Sequence, residues 1–239
     1  MTAMATKHTL KAYGENAFTF LFFEHVVRHA GIRPLIERLS SFLGETSAAP
    51  GIADANADVW LFPCFGKRAG FGEPDALVVV GDHAFWFEVE TTFDMSKRTE
   101  LALRQIYRFH CAAHAFRSGR ESNVYAGVKI SNDGECRDAR LIRANHGAGA
   151  LLDKLSSIPQ HHFVLFSVRA PTLGTSKLFF ANAEKSFRKW DAMTSTHHNK
   201  PPPFDMACAW YVSWEGNLRD HAAADGIDPM ASYVEVKRK

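Results

Sequence analysis

The sequence predicts an α/β fold built on a mixed β-sheet, and three observations carry that expectation. Two apolar runs, residues 76–80 and 84–89, flank Gly81-Asp82 and read as two strands joined by a tight turn. Residues 14–30 (GENAFTFLFFEHVVRHA) and 96–116 (SKRTELALRQIYRFHCAAHAF) place apolar side chains near helical spacing on either side of that hairpin. The remainder alternates strand-like and helix-like segments, so helices, strands, a helix, a strand and a mixed tail follow one another.

The elements follow in order. Ala17, Phe20, Leu21 and Val27 mark the first helix, and Gly31 with Pro34 stops it. A second helix is expected over residues 34–43, followed by a small-residue loop. DVWLFPCFG reads as a strand interrupted by Pro63, which makes three strands in sequence with the hairpin. Ser96 is the expected N-cap of the next helix, with Glu100 in its early turns and Gly119 beyond its end. SNVYAGVKIS is a strand, and ARLIRANHGAGALLDKLSSI contains a helix interrupted by glycines. HHFVLFSV, KLFFA and ACAWYVSW are further strand candidates. HNKPPPF is a proline-rich loop rather than a linker, because aromatic strand signals lie on both sides. The expectation is one domain over residues 1–239 with a C-terminal strand-rich extension.

Composition narrows the function classes. A hydrophobic content of 46% supports a sizeable core, and 28 Lys+Arg against 26 Asp+Glu give a formal charge of +2, so no global basic field advertises nucleic acid. The four cysteines are dispersed without a CxxC pair, which predicts free thiols and no zinc finger. No leader pattern and no apolar run of spanning length is visible, so a cytoplasmic protein without a membrane partner is expected. The pairs His161-His162 and His197-His198 invite a metal reading. Adjacent strand residues face opposite ways, so they are expected to be ordinary surface or strand-edge histidines. GKRAGFG lacks the ending of a phosphate-binding loop, GAGA does not follow a strand as a dinucleotide fingerprint does, and no GxSxG elbow exists.

What remains is acid. Glu88 and Glu90 share a strand face with Ala84 and Trp86, and Asp75 opens the preceding strand. Carboxylates beside so much apolar surface are costly unless something cationic meets them. Asp75 and Glu88 converge at one sheet end if the strands are antiparallel, giving hard oxygen ligands suited to Mg²⁺ or Mn²⁺, with the Val89 carbonyl as a third.

EPD at residues 73–75, twelve intervening residues and then EVE at 88–90 resemble the PD-(D/E)xK motif of restriction-endonuclease-like nucleases. The order of elements over residues 14–130 is similar too, with Glu15 on an early helix and Gln105 on the helix after the second motif strand. The resemblance implies a restriction-endonuclease-like mixed central sheet flanked by helices. It also implies a metal-dependent nuclease acting on nucleic acid, with DNA the expected substrate, Asp75 and Glu88 as ligands, and Glu15 and Gln105 as auxiliary groups. A homodimer suits an enzyme that cuts both strands.

The last motif residue departs from the family, with Glu90 where lysine is usual. A glutamate there accepts a proton from the attacking water or binds a second ion, or else it marks a catalytically decayed module that binds nucleic acid or a protein partner. Lys97 begins the following helix within reach of such a site. Arg104 and Arg108 are i,i+4 neighbours that can offer donors to phosphates, and they fit equally well as the solvent face of an amphipathic helix. The Q-xxx-Y pattern of some related nucleases is incomplete: Gln105 is present, Phe109 occupies the tyrosine position and Tyr107 lies two residues past the glutamine.

Overall fold

The turn at Gly81-Asp82 organises the sheet. Strand β2 (Ala76–Val80) pairs antiparallel with β3 (His83–Glu90), Val80 lying opposite His83. Only the first of the two turn residues has positive φ, Gly81 at +52°, the signature of glycine at the first position of a type II′ turn. The structure is a computed structural model describing residues 15–25, 35–36, 57–65, 70–90, 97–131, 133–143, 148–168 and 175–215.

On the other side of β2 lies β1 (Ala57–Leu61), antiparallel to it. Beyond β3 the sheet continues with β6 (Gln160–Ser167) and then β7 (Ala209–Ser213), both parallel. The order β1-β2-β3-β6-β7 makes a mixed sheet, so the chain is an α/β protein as the sequence predicts. The two C-terminal strands lie within this central sheet.

Parallel neighbours need crossovers. From β3 to β6 the chain passes through α2 (Lys97–Ser118), the hairpin β4 (Val124–Ile130) and β5 (Cys136–Ile142), and α3 (Gly149–Ser157). From β6 to β7 it passes through α4 (Thr175–Thr194) and a short 3₁₀ turn, Met206–Cys208.

Each sheet face has its own core. Leu77, Val79, Trp86 and Leu165 pack with Ala102, Leu103, Ile106 and Phe109 of α2. On the opposite face Val78, Phe85, Phe87 and Phe166 meet Phe18, Phe22 and Phe23 of α1 (Glu15–His25). Phe22 is edge-on to Phe166 at 4.8 Å and Phe23 to Phe87 at 5.1 Å, and each buried ring contributes about 1.5–3 kcal/mol of burial free energy.

Helix α2 is held from its far side too. Gly127 of β4 comes so close that an added Cβ would lie 2.7 Å from the Ala115 Cβ, so only glycine fits there. The Tyr107 hydroxyl donates to Asp191 Oδ1 of α4 at 2.9 Å. Both oxygens of that carboxylate accept from the Phe204 amide at 3.1 Å. His110 Nε2 meets the Pro202 carbonyl at 2.8 Å, so the proline-rich segment is a packed loop, as its flanking signals predict.

One segment differs from expectation. KLFFA lies inside α4 and not in a strand: a short apolar run fits either state, and the buried Ala183, Phe187 and Trp190 extend it at helical spacing. The helix expected within residues 139–158 is α3, while residues 139–142 end β5, buried Ala139 and Leu141 alternating with exposed Arg140 and Ile142. Of the helix expected over residues 34–43, only Leu35 and Ile36 are described, both helical and buried. The Ser96 cap lies outside the described residues. Among the described residues, no helix is long and apolar enough to cross a membrane.

The histidine pairs also need correction. His161 and His162 do face opposite ways, yet they lie in the interior rather than at the surface. Trp86 Nε1 donates to His161 Nδ1 at 3.0 Å, while His162 stacks on Phe85 and lies 2.9 Å from His83. His197 contacts Asp138, and His198 is exposed. Burial, reinforced by nearby positive charge, pushes His161 down to about 3 and His162 down to about 4.

Stability therefore depends on pH with a definite sign. The unfolded imidazoles take up protons below about pH 6.5 and the folded ones do not until far lower, so the unfolded state binds more protons in between. The contribution is complete above about pH 6.5 and is lost as pH falls toward 4. Urea unfolding at about pH 7 and about pH 5 should show a lower midpoint at the acid value. His162→Phe, which keeps an aromatic ring in the stack, should shrink the difference; an unchanged difference would count against this account.

Candidate active site

Asp75 stands one residue before β2, and the ladder still reaches it. Its amide donates to the Phe87 carbonyl at 2.9 Å, and its carbonyl accepts from the Phe62 amide at 3.0 Å. Phe62 reaches that bond with φ +49°, a left-handed conformation that costs a bulky residue about 1–3 kcal/mol. Ala76 is paired with Phe87 at the end of the ladder, and the Asp75 amide bonds the same Phe87 carbonyl, so Asp75 stands where the two strands part. Glu88 belongs to the sheet face covered by α2, the face of Trp86.

The Asp75 carboxylate is fixed by a 2.7 Å bond from the Val89 amide to Oδ2. This bond also orients Val89. Odd-numbered residues at the end of β3 turn their backbone groups toward β2, as the bonds of Phe87 and Val89 with Asp75 show. The N–H and C=O of one strand residue leave on the same side, so the Val89 carbonyl points to the edge where β2 has ended. The Asp75 carboxylate and the Val89 backbone, next in the chain to Glu88, thus lie together where β2 ends.

Glu90, half-buried, shares the face of Glu88 and pairs with Ser167 of β6, which pairs with Ser213 of β7. The Tyr211 hydroxyl lies 2.8 Å from Ser167 Oγ. This hydroxyl row beside Glu90 escaped the sequence reading. Its serines were visible, but the register of β6 and β7 against β3 depends on two long crossovers.

From α2, Gln105 and Arg108 approach the acids. Gln105 Nε2 donates to the Glu73 carbonyl at 3.4 Å and so touches the segment that delivers Asp75. Gly72 makes room for it: φ is +87°, and an added Cβ would lie 3.2 Å from Gln105 Nε2. Arg108 donates through Nε to the Ile130 carbonyl at 2.5 Å and through Nη1 to Gln105 Oε1 at 3.1 Å. Burial and the neighbouring Arg104 pull its pKa down, while the Glu88 charge pushes it up, so the braced guanidinium lies within electrostatic reach of Glu88.

The other sequence candidates are placed differently. Arg104 is 8% exposed and bonds Glu100 Oε1 at 2.9 Å and the Ser131 carbonyl at 3.4 Å, bracing α2 against the end of β4. Tyr107 points away, to Asp191, and Phe109 is buried against Trp86, so neither supplies the missing tyrosine. Glu15 opens α1, which packs on the opposite sheet face, and Lys97 opens α2; the side chains of both lie outside the described residues.

Among the described residues, no group of three or more His, Cys, Asp or Glu side chains is arranged to hold a metal ion. Two carboxylates and a backbone carbonyl are what the edge offers. That set matches Mg²⁺, which keeps several waters and is commonly held by one or two carboxylates together with substrate phosphate. No family model, curated protein or solved structure matches the chain.

Proposed function

We propose that the chain is a metal-dependent phosphodiesterase of the PD-(D/E)xK kind acting on DNA, with Mg²⁺ or Mn²⁺ held by Asp75, Glu88 and the Val89 carbonyl. The observation that carries this reading is the Asp75–Val89 bond, which fixes one carboxylate against the residue next to Glu88 where β2 ends. A divalent ion bound there supplies charge neutralisation at the scissile phosphate and acidifies a coordinated water. The chain's own residues do the rest. Glu90 takes the proton from the attacking water or helps hold a second ion. Arg108 brings the permanent positive charge that lysine brings in the usual motif; a guanidinium stays protonated, so it stabilises charge and does not act as base. Gln105 holds Arg108 and the Glu73 segment in register. Arg104 is too buried to read phosphates, which leaves Arg108, with Lys97, for the backbone of the nucleic acid.

The test is hydrolysis of single- and double-stranded DNA, with RNA alongside, in Mg²⁺, Mn²⁺ and EDTA. Cleavage that needs the ion supports the proposal; no cleavage with either ion on any substrate defeats it. Product size and light scattering on the same preparation separate endonuclease from exonuclease and dimer from monomer.

Arg108 also favours a second reading, a catalytically decayed module that binds nucleic acid or a protein partner, in which the guanidinium simply neutralises Glu88. Arg108→Met separates the two. A catalytic Arg108 predicts a kcat lowered by ~10–10³-fold with Mn²⁺ binding kept or tightened, because a competing cation has gone. The decayed module predicts no hydrolysis before or after the change.

A further inference from the structure

We infer that Phe62 stacks on an unpaired base of the substrate and so selects single-stranded DNA, an inference that rests on the phosphodiesterase reading of the acidic edge.

The strand register places this residue. Strand β1 runs antiparallel to β2 with Leu61 opposite Ala76, and one step further the Phe62 amide donates to the Asp75 carbonyl at 3.0 Å. Neighbouring strands lie about 4.8 Å apart, so Phe62 is next to Asp75 across the ladder. Asp75 has Phe62 on one side and, on the other, the Val89 amide that binds its carboxylate at 2.7 Å. A nucleotide with its phosphate at that carboxylate is long enough for its base to reach a ring one strand away.

The ring departs from the pattern of its strand. Trp60 packs into the core under α2, while Val59 and Leu61 pack on the opposite face, so simple alternation would turn residue 62 inward beside Trp60. The left-handed φ of +49° breaks that alternation, at a bulky residue and directly before Pro63, where extended backbone is favoured. Phe62 is 38% exposed and belongs to neither core, and among the described residues no aromatic ring stacks on it.

The segment that carries it is nevertheless fixed. Pro63 is buried, the buried Phe65 ring lies 5.1 Å from that of Phe116, and Cys64 donates to Glu73 Oε1 at 3.0 Å. Strain of this kind persists where the surrounding structure imposes it, and it collects at binding sites. Phenylalanine offers a flat apolar face and no hydrogen bond, which suits stacking without regard to base identity. The face of a base is open to such a ring only where the base is unpaired, hence the single strand.

The experiment is fluorescence anisotropy of a labelled oligothymidylate, its duplex with oligoadenylate, and the same backbone carrying abasic residues. Each is titrated with the full chain in Ca²⁺, a hard ion that takes oxygen ligands as Mg²⁺ does. Wild type should bind oligothymidylate ~10-fold or more tighter than the abasic strand, and tighter than the duplex. Phe62→Leu should weaken oligothymidylate by ~10-fold or more and leave the abasic strand unchanged, whereas Phe62→Trp should keep the affinity. Phe62→Gly should lose the same affinity without a fall in melting temperature, since glycine takes a positive φ freely. Equal binding of the abasic strand, tighter binding of the duplex, wild-type affinity in Phe62→Leu, an equal loss in Phe62→Trp, or a lower melting temperature in Phe62→Gly would each overturn the role of Phe62 alone. No binding of any strand by the wild type would remove it together with the phosphodiesterase reading.

Discussion

Asp75→Asn is expected to lower metal-dependent phosphodiester hydrolysis by ~10²–10³-fold or more while leaving the fold intact. An ion at the sheet edge is worth several kcal/mol in the transition state, and each 1.36 kcal/mol is about tenfold in rate. The choice of asparagine matters. Asp75 Oδ2 accepts the Val89 amide at 2.7 Å, so alanine would leave that amide without its partner and cost about 1–3 kcal/mol of stability. Asparagine keeps an acceptor and removes the charge. The measurement is kcat/KM on labelled DNA with a thermal melt of the same preparation. Unchanged cleavage, or a loss that merely follows unfolding, would remove Asp75 from the chemistry.

Glu90→Lys is expected to abolish activity by ~10²-fold or more with the fold retained, although it restores the residue usual in the motif. The physical reason is charge. The Arg108 charge already acts on Glu88, so a second cation on the same sheet face would compete with the metal while a carboxylate is lost. Position 90 is half-buried at the end of β3, and its backbone carbonyl accepts from the Val168 amide whatever the side chain, so the strand tolerates lysine. Higher activity in the lysine variant would identify a decayed site, and unchanged activity would place Glu90 outside the reaction.

Much of the fold was legible because the hairpin carries its own punctuation. Gly81-Asp82 fixes the turn, the period of two then sets Glu88 and Glu90 on one face, and the hairpin pairing brings Asp75 to the Val89 amide. Local chemistry sufficed for that. Arg108 was legible as a helix-face residue, but its electrostatic reach to Glu88 and its brace on Ile130 depend on where α2 crosses the sheet. The strand candidate at KLFFA lies in a helix because four apolar residues carry no period; the helix is declared only by Ala183, Phe187 and Trp190 further on. The interior placement of His161 was also hidden, because nothing in HHFVLFSV says that β6 is flanked on both sides by strands.

The claim on which the account rests is that Asp75 and Glu88 form a metal-holding edge and not a pair of charges neutralised by Arg108. Hydrolysis assays depend on finding the right substrate, and metal binding does not. Calorimetric titration of the full chain with Mn²⁺, in wild type, Asp75→Asn and Glu88→Gln, addresses it directly. The account predicts saturable binding in wild type, lost or weakened by ~10-fold or more in each variant. Absence of Mn²⁺ binding by the wild type, or equal binding by all three proteins, would contradict it.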